Sequence, residues 1–323
     1  MLFYPHAVWF LRLFTLATGC WLRLLGARRL RLQCGEEVTL AYTVAGRPDG
    51  EPWLLLHGLG SVGAGWAPVT RALRRDCRLV IPELSALGGS RSPGGCLGMS
   101  QAAEVLARLI ETEFGGRPVT VAGLSLGGWM AVRLALRHPE RVGRLVLIDA
   151  GGYRDQDWER VESLVRVDGL GGIDRLYSAL FVRVPWILRI SRAAFLRTYT
   201  SPAVRNALDG LCEADTFTDA DLARLAVPTG LIWGEHDGLF RLETGRAMAA
   251  AIPGARLEVL PGCGHAVHLE CPGALVAALQ RCRRSLRMAA NPPIGGEPWP
   301  ARSTSSAWSA SPPATPSSGR TAR

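Results

Sequence analysis

The stretch Val119-Thr120-Val121-Ala122-Gly123-Leu124-Ser125-Leu126-Gly127-Gly128-Trp129 constrains this chain more than any other. A short apolar, β-branched run favours a strand. A helical run at 130–137 follows at once, and a serine between glycines marks the change of direction. So sharp a strand-to-helix turn brings neighbouring backbone into contact with the residues on either side of its apex. Glycine at 123 and 127 removes the Cβ that would strike it. The same turn would hold Ser125 in a strained conformation at the top of a sheet, which is the context of a G-x-S-x-G nucleophile elbow. In a chain with 37 Gly the pattern needs support from the rest of the sequence.

That support begins with the order of elements. Strand patterns occur at 38–44, 53–56, 78–81, 145–148, 230–233 and 256–260, besides the run that leads to Ser125. Helical patterns occur at 66–74, 101–114, 130–137 and 242–251, with a last helix to about Arg287. Such alternation predicts a mostly parallel central sheet flanked by helices on both faces. It stops at 152–222, where helical patterns continue without a strand. The expected organisation is an apolar N-terminal helix at 1–33, a first core part at 34–151, a helical insertion at 152–222 and a second core part at 223–288. Residues 289–323 are a Pro/Ser-rich tail expected to be disordered, because they carry too little apolar surface to fold.

Composition excludes several functions. The net charge of +9 comes entirely from arginine, since the chain of 323 residues has no lysine. With abundant Ala, Gly and Leu this reads as compositional bias. No basic patch is interleaved with aromatics, so nucleic-acid binding is not expected. The 8 cysteines lack C-x-x-C or other paired spacing. They read as free, mostly buried thiols of a reducing compartment. No ligand cluster implies a metal, and no cofactor is expected. Residues 1–27 are apolar, broken by Arg12 and Arg23, and followed by Arg28, Arg29 and Arg31. They read as a helix lying in the membrane interface, with a spanning anchor and a helix packed on its own domain as alternatives. The expected location is the cytoplasm, attached to the inner face of the membrane.

A serine nucleophile needs a base to take its proton. Of the 6 histidines, His6 lies in the apolar N-terminus, His138 ends the helix after the elbow, and His236 sits beside acidic residues. His57 precedes a glycine turn and reads as structural. His265, in Pro261-Gly262-Cys263-Gly264-His265 after the last strand, is the base. His268 follows in a helix and packs or caps. The base needs a carboxylate to fix its tautomer. Asp237, in Trp233-Gly234-Glu235-His236-Asp237, is the choice, with Asp149 as the alternative; Glu83 and Glu235 read as solvated or structural. The oxyanion donors would be the backbone N–H groups of Leu126 and Leu59. Substrate-binding residues are not assigned. A competing pattern is Gly58-Leu59-Gly60-Ser61-Val62-Gly63 after a strand, with Glu83 about 25 residues on, as in a dinucleotide-binding oxidoreductase. Against it, Pro68 falls where the crossover helix should be running, and Ser125, Asp237 and His265 would be coincidences. A binding protein that keeps the fold without turnover would favour an incomplete set, and here none is missing.

Four segments together resemble the α/β-hydrolase superfamily. They are Leu54-Leu55-Leu56-His57-Gly58-Leu59-Gly60-Ser61, Gly123 to Gly128, Val227 to Asp237, and Leu260 to His265. The chain is similar to the branch holding monoacylglycerol lipases and meta-cleavage-product hydrolases. The resemblance implies an α/β-hydrolase fold with a helical lid after the sixth strand, and the order Ser125, Asp237, His265 is the order expected of its triad. It implies a serine hydrolase of small hydrophobic carboxylic esters, of which monoacylglycerols are one class, with C–C bond hydrolysis of meta-cleavage products as the alternative. One departure is Pro82-Glu83-Leu84-Ser85-Ala86-Leu87-Gly88-Gly89-Ser90, where relatives carry an Asp and a Pro-Gly-His-Gly turn.

Overall fold

The computed structural model describes Gly19 and residues 21–290. Its strands are β1 (Arg28–Cys34), β2 (Val38–Gly46), β3 (Glu51–Leu56), β4 (Cys77–Pro82), β5 (Val119–Leu124), β6 (Val142–Ile148), β7 (Thr229–Gly234) and β8 (Arg256–Leu260). They form one 8-stranded sheet in the order β1-β2-β4-β3-β5-β6-β7-β8. The β1–β2 and β2–β4 pairings are antiparallel, and all others are parallel. This is the α/β-hydrolase fold.

The central strands are buried on both sides, so their residues divide by alternation between two cores. Trp53, Leu55, Ala122, Leu124, Val146 and Ile148 point to one. Helices α1 (Ala67–Leu73) and α12 (Pro272–Ala290) cover that face, through residues such as Leu73 and Leu279. Leu54, Leu56, Val121, Leu145 and Leu147 point to the other. There α2 (Met99–Phe114), α3 (Leu126–Arg137) and α10 (Leu242–Ala251) pack, with Leu106, Met130 and Met248 in the interface.

Between β6 and β7 stand six helices: α4 (Trp158–Val165), α5 (Leu170–Leu180), α6 (Trp186–Ile190), α7 (Arg192–Tyr199), α8 (Pro202–Asp209) and α9 (Asp219–Leu222). After β8 comes the short α11 (Val267–Glu270). The parallel strands end together at one edge, where Gly123 lies opposite Leu56 and Leu147. The loops that leave those carboxyl ends therefore converge, and a site built from residues far apart in sequence can form there.

Three expectations need correction. Residues 28–33, assigned to an N-terminal helix, form most of the edge strand β1. Leu30 and Leu32 alternate with exposed Arg29 and Arg31, a period-2 pattern that the density of arginines obscures. Residues at the end of the 1–27 segment also belong to the domain. Leu22 and Ala27 are buried in the core, with Trp21 against it. The rest of that segment lies outside the described residues, and among the described ones no helix is long and apolar enough to cross a membrane. Finally, Cys263 and Cys271 are joined by a disulfide, with Cα atoms 6.3 Å apart, so they are not free thiols. Their separation of 8 residues matches no motif spacing; the loop and helix between them bring the two together. Of the tail expected at 289–323, residues 289 and 290 end α12, and the rest lies outside the described residues.

Candidate active site

Ser125 sits between β5 and α3 with φ 54° and ψ −118°, a left-handed conformation unusual for a residue with a side chain. The turn holds it there. Its N–H donates to Ile148 O at 2.9 Å, and its carbonyl accepts from Trp129 and Gly151 N–H at 3.1 and 3.2 Å. The flanking glycines are sterically required. A Cβ on Gly123 would collide with the Gly127 backbone, and one on Gly127 would meet the backbone oxygens of Leu56 and His57.

Asp237 and His265 come together from the loops after β7 and β8. His265 Nδ1 donates to Asp237 Oδ2 at 2.8 Å. Asp237 Oδ1 accepts the N–H groups of Leu239 and Phe240, both at 2.8 Å. The carboxylate thus has three donors and a fixed orientation. It selects the tautomer of His265 that keeps Nε2 unprotonated. Both side chains are almost inaccessible, at 0 and 6%, and the Phe240 ring meets the imidazole edge-on at 5.3 Å.

Ser125 and His265 line a single cavity of about 590 Å³. Leu59 and Leu126 line it too. The N–H of Leu126 lies in the first turn of α3, where donors have no intrahelical acceptor. Gly58 lets its backbone approach, since a Cβ there would lie 3.2 Å from Ser125 Cβ. The cavity walls are mostly apolar, with Trp129 and Trp158 packed at 5.2 Å and Phe195 stacked on Tyr199. At its rim Arg154 pairs with Glu213, and Arg166 with Glu162 and Asp209.

The other candidates take structural places. His57 is buried, and burial holds its pKa below the ordinary value despite the opposing charge of Glu83. Its Nε2 accepts Leu84 N–H at 3.0 Å, which leaves Nδ1 to donate to Gly58 O at 2.9 Å. A neutral imidazole therefore ties the Gly58 turn to the chain after β4. Glu83 is buried, not solvated, and accepts Gly63 N–H at 2.9 Å. That carboxylate fills the glycine turn that a dinucleotide phosphate would need, and α1 starts only at Ala67, with Pro68 in its first turn. Glu235 accepts Gly262 N–H at 2.9 Å. His138 lies 3.2 Å from Glu104 at the end of α3, and His236 is exposed. His268 lines the cavity. Burial and the neighbouring His265 and His57 push its pKa down to about 3, so it stays neutral. Asp149 is fully buried behind Asp237 and accepts Gly234 N–H at 2.7 Å.

Sequence reasoning missed the supports supplied by the helices between β6 and β7. Arg160 of α4 donates to the carbonyls of Gly238 and Leu239, at 2.6 and 2.7 Å, next to Asp237. Carbonyls at the end of α5 accept Gly238 N–H at 3.0 Å and Ala266 N–H at 2.9 Å, one on each side of the Asp237–His265 pair. Tyr199 Oη lies 3.4 Å from Leu59 O. These contacts span long sequence separations and carry no local signal.

A family model described as the alpha/beta hydrolase family matches residues 53–279. The chain belongs to the α/β-hydrolase family. Within this hydrolase family it is 24% identical over 258 residues to Lipase 1 of Psychrobacter immobilis, covering 75% of this chain and 79% of that protein. It is 28% identical over 239 residues to 2-hydroxymuconate semialdehyde hydrolase of Pseudomonas putida, covering 69 and 83%. Among solved structures it is similar to a bacterial membrane phospholipase A described as a virulence factor. That match has a TM-score of 0.74 and 25% identity, and covers 86% of this chain and 92% of the other.

Proposed function

We propose that this α/β-hydrolase cleaves hydrophobic carboxylic esters through an acyl-enzyme formed on Ser125. One observation carries the reading: Ser125 and the Asp237-paired His265 open onto the same largely apolar cavity. Ser125 Oγ attacks the ester carbonyl, and His265 Nε2 takes its proton and returns it to the leaving alcohol. Asp237 holds the imidazole and stabilises its cation. The N–H groups of Leu59 and Leu126 bind the oxyanion, each contributing about 3 kcal/mol to the transition state. Water then repeats the cycle on the acyl-enzyme. Ester hydrolysis accords with relatives named lipase and esterase.

The helices at 152–222 act as a lid in this reading, since α4, α5 and α7 contribute cavity walls. C–C bond hydrolysis has the likeness to the Pseudomonas putida enzyme in its favour. The rim arginines weigh against a carboxylate substrate, because Arg154 and Arg166 are already paired with acids. Residues 1–18 would add contact with a membrane surface.

Initial rates on p-nitrophenyl esters of increasing chain length, with Ser125→Ala as the blank, test the proposal. Rates that rise toward medium or long chains and vanish in Ser125→Ala support it. A folded protein silent across the series refutes it.

A further inference from the structure

A second buried carboxyl stands behind the acid of the site, and the mechanism does not use it. Asp149 follows β6 and is inaccessible to solvent. Its backbone has φ 43°, one of two positive values among the described non-glycine residues; the other belongs to Ser125. Its N–H donates to Ile232 O at 3.0 Å, and its Oδ1 accepts Gly234 N–H at 2.7 Å. The carbonyl of the same Gly234 accepts Asp237 N–H at 3.2 Å. One glycine of β7 thus joins both acids, and the two carboxyls lie within hydrogen-bonding reach of each other.

The donors are unevenly shared. Asp237 has three, from Leu239, Phe240 and His265. Asp149 has one, and its Oδ2 is buried without a donor facing it. A second carboxylate there would be an unpaired acceptor beside a like charge, which is costly in a dry interior. A protonated Oδ2 removes both penalties, because it can donate to Asp237.

We propose that Asp149 is a positioning residue that keeps its proton and donates it to Asp237, so that the pair carries a single negative charge behind His265. This rests on the reading of Asp237 and His265 as acid and base. Burial and the charge of Asp237 both favour the proton on Asp149, against the Gly234 N–H. The charged and titratable groups near the pair are His265, the Arg160 guanidinium on the carbonyls of Gly238 and Leu239, and, beyond His265, His268 of the cavity wall and the buried His57. The shared proton holds Asp237 in place and tempers its basicity toward His265.

Asp149→Asn and Asp149→Ala separate the possibilities. Asn retains a donor to Asp237 and an acceptor for Gly234. It should rescue kcat to within about threefold of wild type, with the acid limb of the kcat/KM pH profile unmoved. Ala removes the donor. It should lower kcat about 10- to 100-fold at nearly constant KM, and move the acid limb to higher pH. Infrared difference spectra of wild type minus Asp149→Asn at neutral pH should show the carbonyl band of a protonated carboxyl. No such band, or an acid limb lowered by Asn, would mean that Asp149 is ionised and would overturn the proposal. Ala with full kcat and only reduced stability would also overturn it. If Ala does not fold, the Asn profile and the spectrum decide. A wild type without esterase activity would refute the functional reading instead, and the spectrum would still test the proton.

Discussion

Replacing Gly127 by alanine tests whether the elbow is as tight as its geometry indicates. The added Cβ would lie 2.7 Å from His57 O and closer still to Leu56 O. Neither oxygen can swing away, because Leu56 ends β3, which pairs with β5, and His57 follows it directly with its ring tied to Leu84 N–H and Gly58 O. Relief needs a shift of up to about 1 Å between the first turn of α3 and that strand. Overpacking of this kind costs about 1–3 kcal/mol, and rigid backbone partners place it near the upper end. For a domain of this size about 3 kcal/mol lowers Tm by roughly 6–12 °C. The same shift separates Leu126 N–H from the His57–Gly58 turn, and a misplacement of about 1 Å costs on the order of 100-fold in rate. Gly273→Ala is the control, since a Cβ there meets nothing within 4 Å. Thermal unfolding and p-nitrophenyl ester kinetics should show both losses for Gly127→Ala and neither for Gly273→Ala. A Gly127→Ala protein with wild-type Tm and kcat would refute the steric account.

Other perturbations have distinct signatures. Asp237→Asn should cut kcat by about four powers of ten by admitting the wrong imidazole tautomer; near-full activity, with Asp149→Asn dead, would move the acid to Asp149. Arg160→Ala removes two bonds to the Asp237 loop, and should lower kcat about tenfold while the Ser125 turn stays intact; unchanged kinetics would show that the loop holds itself. Breaking the Cys263–Cys271 link releases a separation of 8 residues, worth about 2.5 kcal/mol in chain entropy, so reductant should lower Tm and an unshifted Tm would count against the bond. Burial raises the Glu51 carboxyl, but Arg287 and Arg283 more than offset this and leave its pKa below the ordinary value. Its stabilisation is therefore present above the unfolded pKa and lost as pH falls through the folded one. Glu51→Gln should cost about 2 kcal/mol at neutral pH, after allowance for partial exposure, and urea unfolding should find the difference shrinking in acid; a constant difference would refute the pairing. Deleting residues 1–18, which spares the buried Leu22, should release the protein from membranes with soluble-ester activity intact, and continued association would sink the anchor reading.

The residues proposed for the site were legible as candidates because each lies in a short motif with its own steric or chemical reason. Ser125 stands between glycines that nothing larger could replace, and His265 and Asp237 follow apolar strands that must end at one edge of a parallel sheet. The strands were legible for a related reason: those buried on both faces are apolar runs, and the structure displaces their limits by only a few residues. β1 was not, because this exposed edge strand has arginine at three of its 7 positions and its alternation resembles the flank of a helix.

By itself, the sequence determined the layers of the fold, the elbow and the identity of the three groups proposed for catalysis, since periodicity and glycine sterics act over a few residues. Only the tertiary structure decided that the Glu83 carboxylate is buried in the glycine turn after β3, that Cys263 meets Cys271, that Arg160 clamps the Asp237 loop and that Asp149 faces Asp237. These depend on distance through space and on which donors each buried oxygen meets. Asp149 and Asp237 are 88 residues apart, and nothing in either local sequence says that one carboxyl will lie against the other in a place without water.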